Sequence, residues 1–127
     1  MTVRVLDSSV ILAIVFGERG REEAVRLSRG ALISSVNVGE IVTKCLEKAE
    51  SEQAALDYMK NSNIIVVGFD FDDARLAGQL SARTPKGVLS LGDRACLVTA
   101  IRAGAAAVTA DRIWAQLDLP CPVELIR

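Results

Sequence analysis

Along this chain, short and almost wholly apolar runs alternate with longer stretches in which apolar positions return at helical spacing. The runs VRVL (3–6), ALIS (31–34), NIIVVGF (63–69), AAAVTA (105–110) and VELI (123–126) predict strands. Between them, DSSVILAIVFG opens a mostly apolar helix, and GREEAVRLSRG (20–30) is amphipathic and stops at Gly30. VNVGEIVTKCLEKAE (36–50) and SEQAALDYMKNSN (51–63) read as a helical pair, followed after the third strand by the helix DFDDARLAGQLSAR (70–83). Pro85, Gly87 and Gly92 mark TPKGVLSLG as a loop, after which DRACLVTAIRAG (93–104) is helical and DRIWAQL (111–117) forms a short helix. Strands alternating with helices imply βαβ units, hence an α/β fold with a mainly parallel sheet. Strands that are apolar at nearly every position suit a sheet covered by helices on both faces.

Composition narrows the chemistry. A chain of 127 residues with 50% hydrophobic and 24% charged residues is expected to fold as a single domain over 1–127. The formal net charge of -1 excludes a polybasic tail, so any nucleic-acid contact has to come from a local patch. The longest apolar run, Val10 to Phe16, is too short to cross a bilayer. Asp7 interrupts the apolar start and no small-residue cleavage site follows Phe16, which leads to the expectation of a cytoplasmic protein without a membrane partner. Cys45, Cys96 and Cys121 form no CxxC pair. There is no histidine, which removes Ser-His-Asp and Cys-His nucleophile systems, histidine bases and histidine-rich metal sites.

What remains is carboxylate chemistry. Most of the 16 acidic residues lie on amphipathic helices among Lys and Arg, as in EKAESE. Four occupy different positions. Asp7 ends the first strand, Glu40 lies in the first turns of the helix after the second, Asp93 begins the helix leading back to the fourth, and Asp111 ends that fourth strand. In a parallel sheet, the C-terminal ends of strands and the N-terminal ends of returning helices share one edge, and ligands bind there. The four acids are therefore expected to converge.

Taken singly, each acid is explained by helix capping and the macrodipole. Ser90-Leu91-Gly92-Asp93 and Asn37-Val38-Gly39-Glu40 both resemble capping boxes, and Ser8 is the expected N-cap of the first helix. Taken together, four close carboxylates repel, and without a cation at least one holds a proton. Oxygen donors without His or Cys suit a hard ion such as Mg²⁺ or Mn²⁺. Such an ion lowers the pKa of bound water and stabilises a phosphoryl transition state. The residues alone point to metal-assisted phosphodiester hydrolysis.

Two imitations fit less well. Asp70-Phe71-Asp72 has the DxD spacing of haloacid-dehalogenase-type phosphatases, but that motif sits on the first strand and continues with a hydroxyl residue, whereas Asp73 and Ala74 follow here. A receiver domain wants an acidic pair after the first strand, and Asp7 is followed by two serines.

The segments VLDSSV, SSVNVGEIVTK, LSLGDRACLVTA and AVTADRIWAQL together resemble the successive motifs of PIN-domain ribonucleases, in particular the VapC toxins of type II toxin–antitoxin pairs. The likeness runs from residue 3 to residue 126 with the elements in order. It implies a PIN-like three-layer α/β/α sandwich with a central, mainly parallel sheet of four to five short strands. It implies an endoribonuclease dependent on Mg²⁺ or Mn²⁺, in which Asp7 and Asp93 bind metal, Glu40 helps to hold metal or orient water, and Asp111 completes the acidic set. Thr109, Ser9 and Asn37 are expected to support the carboxylates. Lys44 and Arg112 are the preferred RNA contacts among the basic residues, ahead of Arg19, Arg21, Lys86 and Arg94. The implied partners are an RNA substrate, a cognate VapB-type antitoxin in a hetero-oligomer, and a second copy in a homodimer. ILAIVF and the helical pair at 36–63 could supply such surfaces, although core packing explains most of their side chains. A non-catalytic PIN-fold module that binds RNA or protein, and a phosphatase built on Asp70 and Asp72, are the alternatives.

Overall fold

The computed structural model describes residues 2–127. Strands β1 (Arg4–Leu6), β2 (Leu32–Ser34), β3 (Ile65–Val67), β4 (Ala106–Thr109) and β5 (Val123–Leu125) form one sheet in the order β3-β2-β1-β4-β5. Every adjacent pair is parallel, with Leu6 opposite Ile33 on one side and Val108 on the other. The helices are α1 (Ser8–Phe16), α2 (Arg21–Ser28), α3 (Ser35–Glu47), α4 (Glu52–Asn61), α5 (Phe71–Leu80) and α6 (Leu91–Ala103).

The pleat divides the core into two. Leu6, Ile33 and Val108 pack with Val10, Ile11 and Ile14 of α1, Leu27 of α2, Ile41 of α3 and Met59 of α4. Their strand neighbours Val5 and Ala107 point the other way, onto Leu80 of α5, Leu97 of α6 and the buried Trp114. Alternate side chains in a strand face opposite sides, so the short inner strands β2, β1 and β4 bury both faces, whereas the edge strand β3 leaves Ile65 and Val66 exposed. The result is the three-layer α/β/α arrangement. Among the described residues, no helix is long and apolar enough to cross a membrane.

Several local expectations change. α6 starts at Leu91 because Ser90 and Asp93 form a reciprocal capping box, which adds a turn ahead of Asp93. Ser34, not Asn37, caps α3, accepting from the Val36 N–H, and Asn37 is fully buried inside the first turn. Asp7, not Ser8, holds the N-cap backbone position of α1, yet its side chain makes no capping bond. The segment after Asp111 is a 3-10 turn, Arg112–Gln116, and Ser81–Arg83 is another at the end of α5. Asp70 is the N-cap of α5 in a capping box with Asp73, and Arg102 Nη1 donates to both. These acids follow β3 at the sheet edge, two strands from β1. Neutralised and spent on a helix start, Asp70 has no nucleophile's environment.

Two glycines separate backbone need from backbone cost. Gly20 starts α2 at φ +91°, and a methyl group there would lie 2.6 Å from the Ile126 carbonyl oxygen. Gly78 sits within α5 with nothing near its Cα face. Gly78→Ala is expected to stabilise by roughly 0.5–1 kcal/mol. Gly20→Ala is expected to cost at least about 1–2 kcal/mol. Urea unfolding midpoints check both, and equal midpoints for the two variants would contradict them.

Candidate functional site

The chain leaves β1 toward β2 and β3 on one side, then returns to place β4 on the other. The strand order reverses between β1 and β4, and their C-terminal ends open the crevice that such a reversal creates. Asp7 follows β1 directly, and Asp111 lies two residues beyond β4.

Asp7 is held in a ring of hydrogen bonds that crosses this reversal. Ser9 Oγ and Thr109 Oγ1 donate to Asp7 Oδ2 at 2.7 and 2.9 Å. The same hydroxyls accept from the backbone N–H of Ala110 and Asp111, each at 3.0 Å. Asp7 is only 5% exposed. Burial pushes its carboxyl up from 3.8 to about 6, with the charges of Asp93 and Glu40 adding to the rise and the Ser9 and Thr109 bonds opposing it.

Glu40 approaches from α3. Its Oε1 accepts from Ser8 Oγ at 3.0 Å and from Asn37 Nδ2 at 2.8 Å. Asn37 Nδ2 also donates to the Gly92 carbonyl at 3.0 Å, tying α3 to the start of α6, while the buried Asn37 Oδ1 has no partner. Asp93 Oδ2 accepts from the Ser90 N–H at 2.9 Å. Partial burial raises the Asp93 carboxyl above its ordinary value, with the charges of Glu40 and Asp111 contributing against its Ser90 bonds. Asp111 Oδ1 accepts from the Ile113 N–H at 3.1 Å.

The structure thus brings Asp7, Glu40, Asp93 and Asp111 into one electrostatic neighbourhood, with Ser9, Asn37 and Thr109 as the supporting donors. Each acid commits one oxygen to protein donors. Asp7 Oδ1, Glu40 Oε2, Asp93 Oδ1 and Asp111 Oδ2 accept no hydrogen bond among the described residues. None of the four makes a salt bridge among those residues either. Nor does any group of three or more Asp, Glu or Cys there close tightly enough to enclose an ion by itself. An open set of free carboxylate oxygens fits a hard divalent cation of the kind that takes one or two carboxylates and keeps waters.

The basic residues divide differently. Arg112 is exposed immediately after Asp111. Lys44 is exposed one turn beyond Glu40 and pairs with Glu47 at 3.4 Å. Arg94 turns away, its Nη1 donating to the Ala77 carbonyl of α5 at 2.9 Å, and Arg21 Nε donates to the Ile14 carbonyl at 3.0 Å. Arg19 and Lys86 are exposed. Sequence reasoning missed Ser8 as the second anchor of Glu40. The available signal was that an acid already occupying the N-cap frees the next hydroxyl.

The sequence matches the PIN domain family over residues 4–119. No curated protein matches it. Among solved structures, VapC20 of Mycobacterium tuberculosis, described as a sarcin–ricin loop cleaving toxin, superposes with a TM-score of 0.73 at 17% identity, over 92% of this chain and 97% of that one. VapBC2 of Rickettsia felis bound to a promoter DNA fragment gives 0.72 at 14% identity, over 98% of both chains. DNA-bound VapBC of Salmonella typhimurium gives 0.70 at 23% identity, over 100% of both.

The raised Asp7 carboxyl sets a pH dependence of stability in the absence of metal. Between pH 3.8 and about 6 the folded chain keeps a proton that the unfolded chain has lost, so stability falls as pH rises through that window. The full cost, roughly 3 kcal/mol, is present above it. Asp7→Asn keeps an acceptor for Ser9 and Thr109 without the charge. Its Tm is expected to exceed the parent's by several degrees at neutral pH in chelator. That gain should shrink to nothing as the pH falls to the ordinary aspartate range. A gain independent of pH would contradict the account.

Proposed function

This chain belongs to the PIN domain family, and we propose that it is a metal-dependent endoribonuclease, the VapC-type toxin of a type II toxin–antitoxin pair. The observation that carries the reading is the set of four unpaired carboxylates at the sheet reversal, each with one tethered and one free oxygen. Uncompensated charge of this kind is costly unless a cation answers it.

In this reading Asp7 and Asp93 hold Mg²⁺ or Mn²⁺, Glu40 orients the attacking water, and Asp111 completes the acidic set. When bound, the ion supplies a more acidic water and positive charge for the phosphoryl transition state. Ser9 and Thr109 fix the Asp7 carboxylate so that Oδ1 faces the cleft. Ser8 and Asn37 do the same for Glu40, leaving Oε2 free to accept a proton from water. Lys44 and Arg112 border the acids and attract the RNA backbone, whose charge the acids would otherwise repel.

A VapB-type antitoxin is the proposed partner. Leu91 and Ile113 stand exposed beside Asp93 and Asp111. An apolar rim around an acidic cleft suits a protein that covers it with apolar contacts and a basic side chain. A homodimer is the proposed solution state, and light scattering of the purified chain checks it.

Purified protein is expected to cleave RNA with Mn²⁺ or Mg²⁺ and to stop in excess chelator. Asp7→Asn and Asp93→Asn should each lower the rate at least about 100-fold, the equivalent of roughly 3 kcal/mol of transition-state stabilisation. Cleavage that survives both substitutions would sink the reading. RNA binding without metal-dependent cleavage would replace it with a non-catalytic module.

A further inference from the structure

The glycine that precedes Asp93 has no conformational reason to be glycine. Gly92 lies in the first turn of α6, and its φ is not in the left-handed region. It is buried, and the space where its Cβ would stand is filled: a methyl group there would overlap Oε1, Oε2 and Cδ of Glu40. At Gly39 and Gly78, the other helical glycines, an added Cβ meets nothing within 4 Å.

We infer that Gly92 is a positioning residue for Glu40: its missing side chain is the seat that fixes the Glu40 carboxylate at the cleft. Three constraints then define the position of that carboxylate. Ser8 and Asn37 hold Oε1 from two sides. The bare Cα of Gly92 forms the floor, kept in register because Asn37 Nδ2 also grips the Gly92 carbonyl. The seat is steric and specific to glycine, since even alanine fills it.

The weakest element in this contact is the end of the flexible Glu40 side chain, not the backbone of α6. An added methyl group therefore displaces the carboxylate before it displaces the helix, and the Ser8 and Asn37 bonds to Oε1 are lost with it. Asp93, held by its own capping box, stays in place. The fold should tolerate Gly92→Ala while the site does not.

This inference rests on the nuclease reading, and a double-mutant cycle with Glu40→Ala separates the two. Gly92→Ala in the parent is expected to keep a Tm within a few degrees, to lower the cleavage rate at least about 10-fold, and to weaken Mn²⁺ binding by calorimetry. In the Glu40→Ala background the methyl group meets no carboxylate, so adding Gly92→Ala should leave the Mn²⁺ dissociation constant unchanged and should not lower the Tm, the helical alanine raising it slightly. Gly92→Ala/Glu40→Asp, whose acid is one methylene shorter, should cleave faster than Gly92→Ala alone. Should Gly92→Ala fail to fold, the Tm of the Glu40→Ala/Gly92→Ala pair decides: a Tm no lower than that of Glu40→Ala supports the seat, and a lower one overturns it. Equal losses in both backgrounds would overturn it, because the effect would then run through the α6 backbone. Parent-like cleavage by Gly92→Ala would also overturn it. A parent that neither cleaves RNA nor binds Mn²⁺ removes the nuclease reading instead.

Discussion

The buried carboxylate of Asp7 is the constraint to which the rest of the structure answers. Its charge is disfavoured by burial and by two neighbouring acids. It is kept in place by two hydroxyls that are themselves held by backbone N–H groups, Ser9 by Ala110 across the β1–β4 junction and Thr109 by Asp111 just beyond β4. The cost falls on the two cores, and both are well supplied. The larger packs α1 to α4 against Leu6, Ile33 and Val108, and the other packs α5 and α6 against Val5 and Ala107. Small domains are only marginally stable, so one unfavourable carboxylate is a sizeable fraction of the total.

The contrast between two sets of acids shows what separates a site from a helix start. Asp70 and Asp73 cap α5 and are met by Arg102. Asp93 caps α6 in the same reciprocal geometry, yet no Lys or Arg pairs with it among the described residues. Capping and cleft chemistry are therefore not rivals at Asp93. One oxygen serves the helix and the other accepts no hydrogen bond among the described residues. The distinguishing feature is the absence of a compensating cation, and that depends on tertiary placement.

This also explains how much was legible from the chain alone. The order of strands and helices followed from apolar runs, because the inner strands, buried on both faces, carry no alternation to confuse with helix periodicity, and the exposed edge strand β3 is as apolar as they are. The convergence of Asp7, Glu40, Asp93 and Asp111 followed from topology, since ends of parallel strands must share an edge. Local hydrogen bonding was less legible. Asn37 read as a cap because its type and spacing match one, but Ser34 lies earlier and takes the role, freeing Asn37 to bridge α3 and α6. Ser8 read as the cap of α1 for the same reason, and Asp7 held that backbone position. Arg94 adjoins an acid in sequence, yet helix geometry sends its side chain to α5. Spacing along the chain specifies which residue types are near a helix start. It does not specify which of them the neighbouring layer will claim.

The strand order carries a consequence for how the molecule comes into being. Synthesis delivers β1, β2 and β3 with α1 to α4 first, which carry the larger core apart from Val108 and Ile126. Asp7 and Glu40 are then already synthesised but lack their later partners. β4 follows all of these in the chain and must enter beside β1, bringing Thr109 and Asp111 with it. Until that late insertion, the growing polypeptide has half of its cleft and lacks the hydroxyl of Thr109 that anchors Asp7.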